Sequence, residues 1–197
     1  MVASSKKELA ITQETRAMNT AIFTIGHSTR PFDKFLEMLQ IFHIGMIADV
    51  RTIPKSRHNP QFNLEDLRDG LEAHGIGYIH IVGLGGLRHT TIDSINMGWK
   101  NPSFRGYADY MQTTAFDESL KELMTIARED ATAIMCAEAV PWRCHRSLIG
   151  DALLVHGFSV EDILSDKKST PHKLTPWARI DGNSISYPGP EPPPNRL

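Results

Sequence analysis

Residues 21–28 read AIFTIGHS, a short apolar run that ends in a glycine and two polar residues. A run of this length, bounded by a glycine, is typical of a buried β-strand. Pro31 suits the first turn of a helix. Apolar side chains then recur at helical spacing, at Phe32, Phe35, Leu36 and Leu39. This stretch therefore predicts a strand that is followed directly by an amphipathic helix.

The same alternation of strand and helix continues along the chain. Further strands are predicted at residues 45–50, 78–82, 132–136 and 160–164, with amphipathic stripes between them. One helix is expected to start at Asn63, with Asp66 completing a capping box, and to end at Gly75. Parallel strands need helical crossovers of this kind. We therefore expect one α/β domain with three α/β/α layers and a mostly parallel, Rossmann-like sheet of about five strands.

The composition of the 197 residues is that of a globular protein, with 41% apolar residues, 22% charged residues and a net charge of −2. It excludes a wholly disordered chain, and no apolar run approaches the roughly 18 residues of a membrane-spanning helix. The near-zero charge argues against a nucleic-acid binder held by global positive charge. Two cysteines, Cys136 and Cys144, cannot form the framework of a secreted disulfide-rich domain. We therefore expect a cytoplasmic protein that does not bind membranes.

Three segments are expected along the chain. Residues 1–19 are polar, lack the apolar core of a signal peptide and are interpreted as a flexible lead-in. Residues 20–182 form the α/β domain. Residues 183–197 contain five prolines and are expected to be a disordered, polyproline-like tail.

Reactive or charged residues follow each of the first four predicted strands. In open α/β sheets, ligands bind at the carboxyl ends of the strands, so these residues are expected to share one site. The candidates are His27 and Ser28, Asp49 and Arg51, Gly85, Gly86 and Arg88, Cys136 and Glu138, and then Cys144, His145 and Arg146.

Arginines among these candidates suggest a site for a phosphate-bearing ligand. Arginine recognises phosphate or carboxylate groups with two parallel hydrogen bonds. The loop at residues 51–58, which carries Arg51, Lys55, Arg57 and His58, is expected to form an arginine-rich rim with Arg88, Arg105, Arg143 and Arg146. The alternative is that these arginines pair with acidic residues. The glycine-rich turn at residues 83–86 is either a phosphate cradle or a tight turn without a ligand.

The segment from Cys136 to Arg146 holds the densest group of reactive side chains. Cys144 is placed at a helix start beside His145, a position that favours the thiolate, so it is a candidate nucleophile or metal ligand. Glu138 is a candidate general acid or base. Cys136 is interpreted as a small core residue. Zinc binding by Cys136, Cys144 and His145, with His27 as a further candidate ligand, is an alternative, although the spacing matches no standard zinc motif.

Several aromatic residues lie between the third and fourth strands. They either stack on a bound base or sugar and close the site as a lid, or anchor a long connection to the core. These residues are Trp99, Phe104, Tyr107 and Tyr110, with Met111 beside them. Tyr107 is included among the candidate substrate-binding residues.

Several motifs together resemble the DUF488 family, a domain of unknown function. They are TIGHS at 24–28, DVR at 49–51, LGGLR at 84–88, FRGYADYM at 104–111, MCAE at 135–138, CHR at 144–146 and HKLT at 172–175. The resemblance covers about residues 22–178. It implies a single cytosolic α/β domain whose characteristic residues fall on His27, Asp49, Arg51, Cys136, Glu138, Cys144, His145 and Arg146.

We expect an enzyme, a hydrolase or transferase, acting on a phosphate-bearing small molecule or on nucleic acid. Its catalytic residues are predicted to be Cys144, Glu138, His27 and Asp49. Its substrate-binding residues are predicted to be Ser28, Arg51, Gly85, Gly86, Arg88, Tyr107, His145 and Arg146. The sequence requires no cofactor, although a divalent metal is possible, and it leaves the oligomeric state open. A non-catalytic nucleic-acid module and a metal-binding or thiol redox protein are the alternatives.

Overall fold

The computed structural model describes residues 21–190 of the chain. Six strands form one sheet in the order β3-β2-β4-β1-β5-β6, and two further strands form a separate hairpin. The strands are β1 (Ile22–Gly26), β2 (Met46–Asp49), β3 (Gly77–His80), β4 (Thr132–Cys136), β5 (Val160–Ser165), β6 (Lys168–Pro171), β7 (Arg179–Asp181) and β8 (Ser184–Ser186). The first five strands run parallel, and β6 pairs antiparallel with β5.

Five α-helices cover the two faces of the sheet. They are α1 (Phe32–Ile41), α2 (Leu64–Glu72), α3 (Pro102–Tyr110), α4 (Thr114–Glu129) and α5 (Arg146–Val155). The buried residues of α1 and α2 belong to one hydrophobic cluster, and those of α3, α4 and α5 belong to a second. The three-layer α/β architecture expected from the sequence is therefore confirmed.

Strand β4 shows how one strand serves both layers. Side chains alternate between the two faces along a strand. Accordingly, Ala133 and Met135 pack in the cluster with α1 and α2, whereas Ile134 and Cys136 pack in the other cluster. All five residues of β4 are buried, as expected for the centre of a parallel sheet. This alternation directs the Cys136 side chain towards α5.

The start of α2 differs from the predicted capping box. Asn63 does occupy the N-cap position, but its side chain makes no cap hydrogen bond. Its Oδ1 instead accepts a hydrogen bond from the backbone N–H of Ser56 (2.8 Å), and its Nδ2 donates to Asp66 (3.3 Å). Asn63 therefore holds the loop after β2 in place. Gly75, with a φ of 74°, follows the helix in the left-handed conformation that favours glycine.

Two further regions differ from the expectations. The long connection between β3 and β4 contains α3, a helix that was not predicted from the sequence. The boundary placed at residue 182 is too early, because β8 follows it and the Tyr187 side chain is fully buried. The predicted lead-in at residues 1–19 and the end of the proline-rich tail, 191–197, lie outside the described residues.

Across residues 21–190, no helix has both the length and the apolar character that a bilayer crossing demands.

Candidate functional site

A cleft opens at the carboxyl edge of the sheet, where β2, β4 and β1 end side by side. The backbone N–H of His27 donates to the carbonyl of Cys136 (3.0 Å), and that of Ser28 donates to Ala137 (2.9 Å), so β1 and β4 stay joined beyond their ends. The cleft has a volume of about 370 Å³. It is lined by His27, Ser28, Thr29, Arg51, Ile53, Lys55, Ser56, Asn59, Ala137, Glu138 and Ala139. We call it the strand-end cleft.

Arg51, in the lining of the strand-end cleft, forms a buried ion pair with Asp49. The Arg51 guanidinium donates to the Asp49 carboxylate through Nε (2.9 Å) and Nη2 (2.5 Å), and Asp49 also accepts a hydrogen bond from Tyr78 (2.8 Å). The remaining Nη1 of Arg51 donates to the carbonyl of Phe62 (2.8 Å). Burial alone lowers the pKa of Arg51, but the hydrogen bonds and charge of Asp49 outweigh it and raise that pKa. Arg51 is thus a fixed positive charge.

His27 lies beside this ion pair as a neutral ring. Its Nδ1 is 2.8 Å from the carbonyl of Ser28, so Nδ1 carries the proton, and its Nε2 accepts from Arg51 Nη1 (3.3 Å). Burial lowers the pKa of His27 to about 4. The ring also stacks on Phe62. A role of His27 in proton transfer, as predicted from the sequence, would require one of these hydrogen bonds to break.

Two cysteines and a histidine meet on the other side of β4. The donor atoms of Cys136, Cys144 and His145 all lie within 4.8 Å of one another. The Cys144 Sγ is 3.7 Å from His145 Nδ1, and His145 Nε2 is 2.9 Å from the carbonyl of Val50. Because a carbonyl only accepts, Nε2 carries the proton, and the lone pair of Nδ1 faces the sulfur. We call this group the sulfur cluster.

Cys136 lies in the hydrophobic core, as predicted, and its thiol and that of Cys144 shift one another's pKa in opposite directions. The hydrogen bond from Cys144, the charge of Arg146 and nearby backbone N–H groups lower the pKa of the Cys136 thiol to about 7. The interaction with Cys136 and burial raise the pKa of Cys144 well above its ordinary value. The thiolate was expected on Cys144 at a helix start. Cys144 lies two residues before α5, and the backbone N–H of Arg146 does act to lower its pKa, but the interaction with Cys136 and burial outweigh that effect.

The predicted arginine-rich rim does not form, because most of its guanidinium groups bind backbone carbonyls. Arg146 is fully buried and donates to the carbonyls of Glu138 (2.7 Å) and Ala139 (3.2 Å). Arg88 donates to Gly85 (3.0 Å) and Gly83 (3.1 Å) and stacks on Tyr110. Arg105 donates to the carbonyl of Trp99 (3.0 Å). Among the arginines of the predicted rim, Arg51 alone lines the strand-end cleft.

The glycine-rich turn and the aromatic insert serve the packing around the sulfur cluster. A Cβ on Gly86 would lie 3.0 Å from His145 Nδ1, so the imidazole rests against this glycine. Tyr107 is buried, donates to the carbonyl of Leu84 (2.9 Å), and packs against the His145 ring. Trp99 stacks on Phe104 and contacts Tyr187. These aromatic residues anchor the connection to the core, as one of the two interpretations proposed.

Comparison with known proteins adds one finding. The family model described as domain of unknown function DUF488 matches residues 31–153, more than half of the chain. The chain belongs to the DUF488 family. Neither the curated proteins nor the solved structures with which the chain was compared give a significant match.

The DUF488 match includes the sulfur cluster and most of the strand-end cleft. It spans Asp49, Arg51, Glu138 and Arg146 as well, but it begins after β1 and therefore leaves out His27 and Ser28. It is shorter at both ends than residues 22–178, over which the motifs extend.

A second cleft lies outside most of the DUF488 match and was missed by the sequence analysis. It has a volume of about 540 Å³ and includes Trp99, Trp142, Trp177 and His172 in its lining. His172 Nδ1 donates to Asp162 (2.9 Å) and Nε2 donates to Asp151 (3.2 Å). The two carboxylates come from β5 and α5, so no local spacing in the sequence signals that they meet. HKLT at 172–175 was the one available signal.

Proposed function

We propose that this DUF488 protein is an enzyme that acts on a phosphate-bearing small molecule, such as a nucleotide, in the strand-end cleft. One observation carries the proposal: at the carboxyl edge of a parallel sheet, the same cleft presents cationic groups, hydroxyl groups and a carboxylate. Ligands of open α/β sheets bind at this edge. A volume of about 370 Å³ is within the range of small-molecule sites.

The residues of the cleft divide into two roles. Lys55 supplies an exposed positive charge, and the hydroxyl groups of Ser28, Thr29 and Ser56 supply hydrogen bonds to phosphate oxygens. Glu138 is the one carboxylate in the lining of the cleft, and it is exposed there. It therefore serves as the proton donor or acceptor in hydrolysis or transfer. Cys144, predicted as a nucleophile, is 3% exposed and lies outside this lining.

The shape of the loop that carries Glu138 depends on a close approach at Gly26. A Cβ at Gly26 would overlap the carbonyl oxygen of Glu138, so only glycine lets the end of β1 pass beneath this loop. From the other side, the buried Arg146 holds the carbonyls of Glu138 and Ala139. The carboxylate is thus mounted on a segment whose backbone is fixed before substrate arrives, as general acid–base catalysis requires.

Replacing Lys55 by glutamine is expected to weaken the binding of inorganic phosphate and of nucleotides about tenfold, because one charge-assisted hydrogen bond is lost. Isothermal titration calorimetry on the full chain measures the change. Lys121→Gln, on the exposed surface of α4, is the matched control and should bind as the wild type does. Equal affinities of the wild type and the Lys55 variant would contradict this use of the cleft.

The catalytic role is tested by Glu138→Gln in the same protein. Loss of a general acid or base is expected to lower turnover about 100-fold or more, whereas ligand affinity is retained because the phosphate contacts remain. Release of phosphate from a panel of nucleotides provides the assay. A Glu138 variant that turns over at the wild-type rate would exclude this residue as the proton-transfer group.

A further inference from the structure

We propose that Cys136, Cys144 and His145 bind a zinc ion at the carboxyl end of β4. Their donor atoms lie within 4.8 Å of one another. A sulfur and a nitrogen on one tetrahedral zinc ion are about 3.6 Å apart, given the usual bond lengths. The observed distance of 3.7 Å between Cys144 Sγ and His145 Nδ1 is close to that value. The proposal does not depend on which ligand occupies the strand-end cleft.

The orientation of His145 is already that of a metal ligand. Metal-binding histidines commonly donate their second ring N–H to a carbonyl or carboxylate, which fixes the ring and its tautomer. His145 does so through Nε2 and the carbonyl of Val50 (2.9 Å). One face of the ring rests on Gly86, where a Cβ would come within 3.0 Å of Nδ1. The ring therefore needs little rearrangement to bind a metal through Nδ1.

The surroundings of the two sulfur atoms suit a charged centre that is shielded from water. Cys136 is 8% exposed and Cys144 is 3% exposed. The buried guanidinium of Arg146 is close enough for its charge to act on both thiols, and its Nε has no hydrogen-bond partner within the described part of the chain. Two thiolates neutralise the charge of one divalent ion, so the ion adds no net charge to this interior. Arg146 would remain as the cation beside the thiolates.

The donor set identifies the class of metal. Thiolate and imidazole ligands favour zinc and related transition metals over magnesium or calcium, which prefer oxygen ligands. Within residues 21–190, the cluster found here offers three side-chain ligands. Structural zinc sites are closed by four protein ligands, whereas sites with three keep a position for water or substrate. Among residues 21–190, the sulfur cluster therefore supplies three of the four ligands of a tetrahedral ion.

The proposal is tested by metal analysis of the full chain, purified without a polyhistidine tag and under reducing conditions. We expect one zinc ion per chain by elemental analysis after zinc is added and unbound metal is removed. Cobalt substitution should give the charge-transfer absorption of a thiolate-bound metal. Thiol titration should show both cysteines protected until the metal is chelated. Metal content far below one equivalent in the reduced wild type would overturn the proposal.

Variants then show whether these three residues are the ligands. Cys144→Ser and His145→Gln are each expected to weaken zinc binding more than about 100-fold, because a direct ligand matters more than a supporting contact. His74→Gln, at an exposed position just after α2, is the control and should keep wild-type affinity. Circular dichroism verifies that each variant is folded. The cobalt spectrum of the wild type tests thiolate ligation even if a variant does not fold. Wild-type zinc affinity in folded Cys144→Ser and His145→Gln would refute the assignment.

Zinc binding and phosphate binding are separate measurements, so their failures can be told apart. Zinc is measured alone with no phosphate ligand present, and the Lys55 variant is expected to bind zinc as the wild type does.

Discussion

Replacing Asp49 by alanine is expected to lower the free energy of unfolding by about 3–5 kcal/mol, since it leaves a buried guanidinium without its carboxylate. Asp49 is fully buried, and Arg51 is 6% exposed. The carboxylate accepts hydrogen bonds from the Arg51 side chain, the Arg51 backbone N–H and the Tyr78 hydroxyl. Chemical denaturation of the wild type and the variant measures the change.

The chain offers a matched control for this experiment in the Arg68–Asp69 pair. Its distance is 3.1 Å, but its side chains are 43% and 70% exposed. Exposed pairs contribute little, so Asp69→Ala should cost less than about 1 kcal/mol. Adding Arg51→Met to the Asp49 variant should recover part of the lost stability, because the unpaired charge is then gone. If Asp49→Ala lowers the free energy of unfolding no more than Asp69→Ala does, water must solvate the Arg51 guanidinium once its carboxylate is removed.

The stability contributed by His172 is expected to fall by about 3 kcal/mol as the pH rises from about 6.5 to about 9. Burial alone would lower the pKa of His172, but hydrogen bonds and charges from Asp151 and Asp162 outweigh it and raise this pKa to about 9. A group whose pKa is raised on folding stabilises the native state below its unfolded pKa. That stabilisation disappears as the pH passes the folded value.

The measurement compares the wild type with His172→Gln across this pH range. The difference in the free energy of unfolding should be large near neutral pH and small at the alkaline end. The comparison is needed because the Cys136 thiol, with its pKa lowered to about 7, contributes with the opposite sign in the same range. It is common to both proteins and cancels in the difference. A constant difference would mean that His172 is not charged in the native protein.

The repeated pattern of apolar strand and amphipathic helix was sufficient to predict the parallel sheet and its helices. It could not predict β6, because Lys168–Pro171 is polar and on the edge of the sheet, without the apolar run that marks a buried strand. The pattern also gave a wrong prediction after residue 182, because the prolines there indicated a disordered tail and Tyr187 was included in it. That residue is buried because its hydroxyl reaches Asp151 (2.9 Å) in α5, a contact that only the folded chain creates.

The sequence predicted the location of the candidate site better than it predicted the roles of the individual residues. The positions of the strand ends predicted that Arg51, Glu138 and the two cysteines lie near one another at one edge of the sheet. Charge alone could not tell that Arg146 is fully buried and bound to carbonyls, or that Arg51 is paired within the protein. The thiol pKa values depend on the contact between Cys136 and Cys144 and on their burial. The Asp151–His172–Asp162 group joins α5, the segment after β6, and β5. Such assignments need distances between residues that are far apart in the chain.

The order of strands in the sheet also determines when each strand can find its partners during synthesis. β1 is made first among the described strands, yet it lies between β4 and β5, and Phe23 pairs with Ala133 and Glu161. On the ribosome, this apolar strand therefore has no sheet partner until β4 has been made, and its second edge stays unpaired until β5 follows. Closing contacts over such separations is slow and leaves edges open to other chains. The strand that is made first thus keeps an open edge through most of the synthesis of the domain.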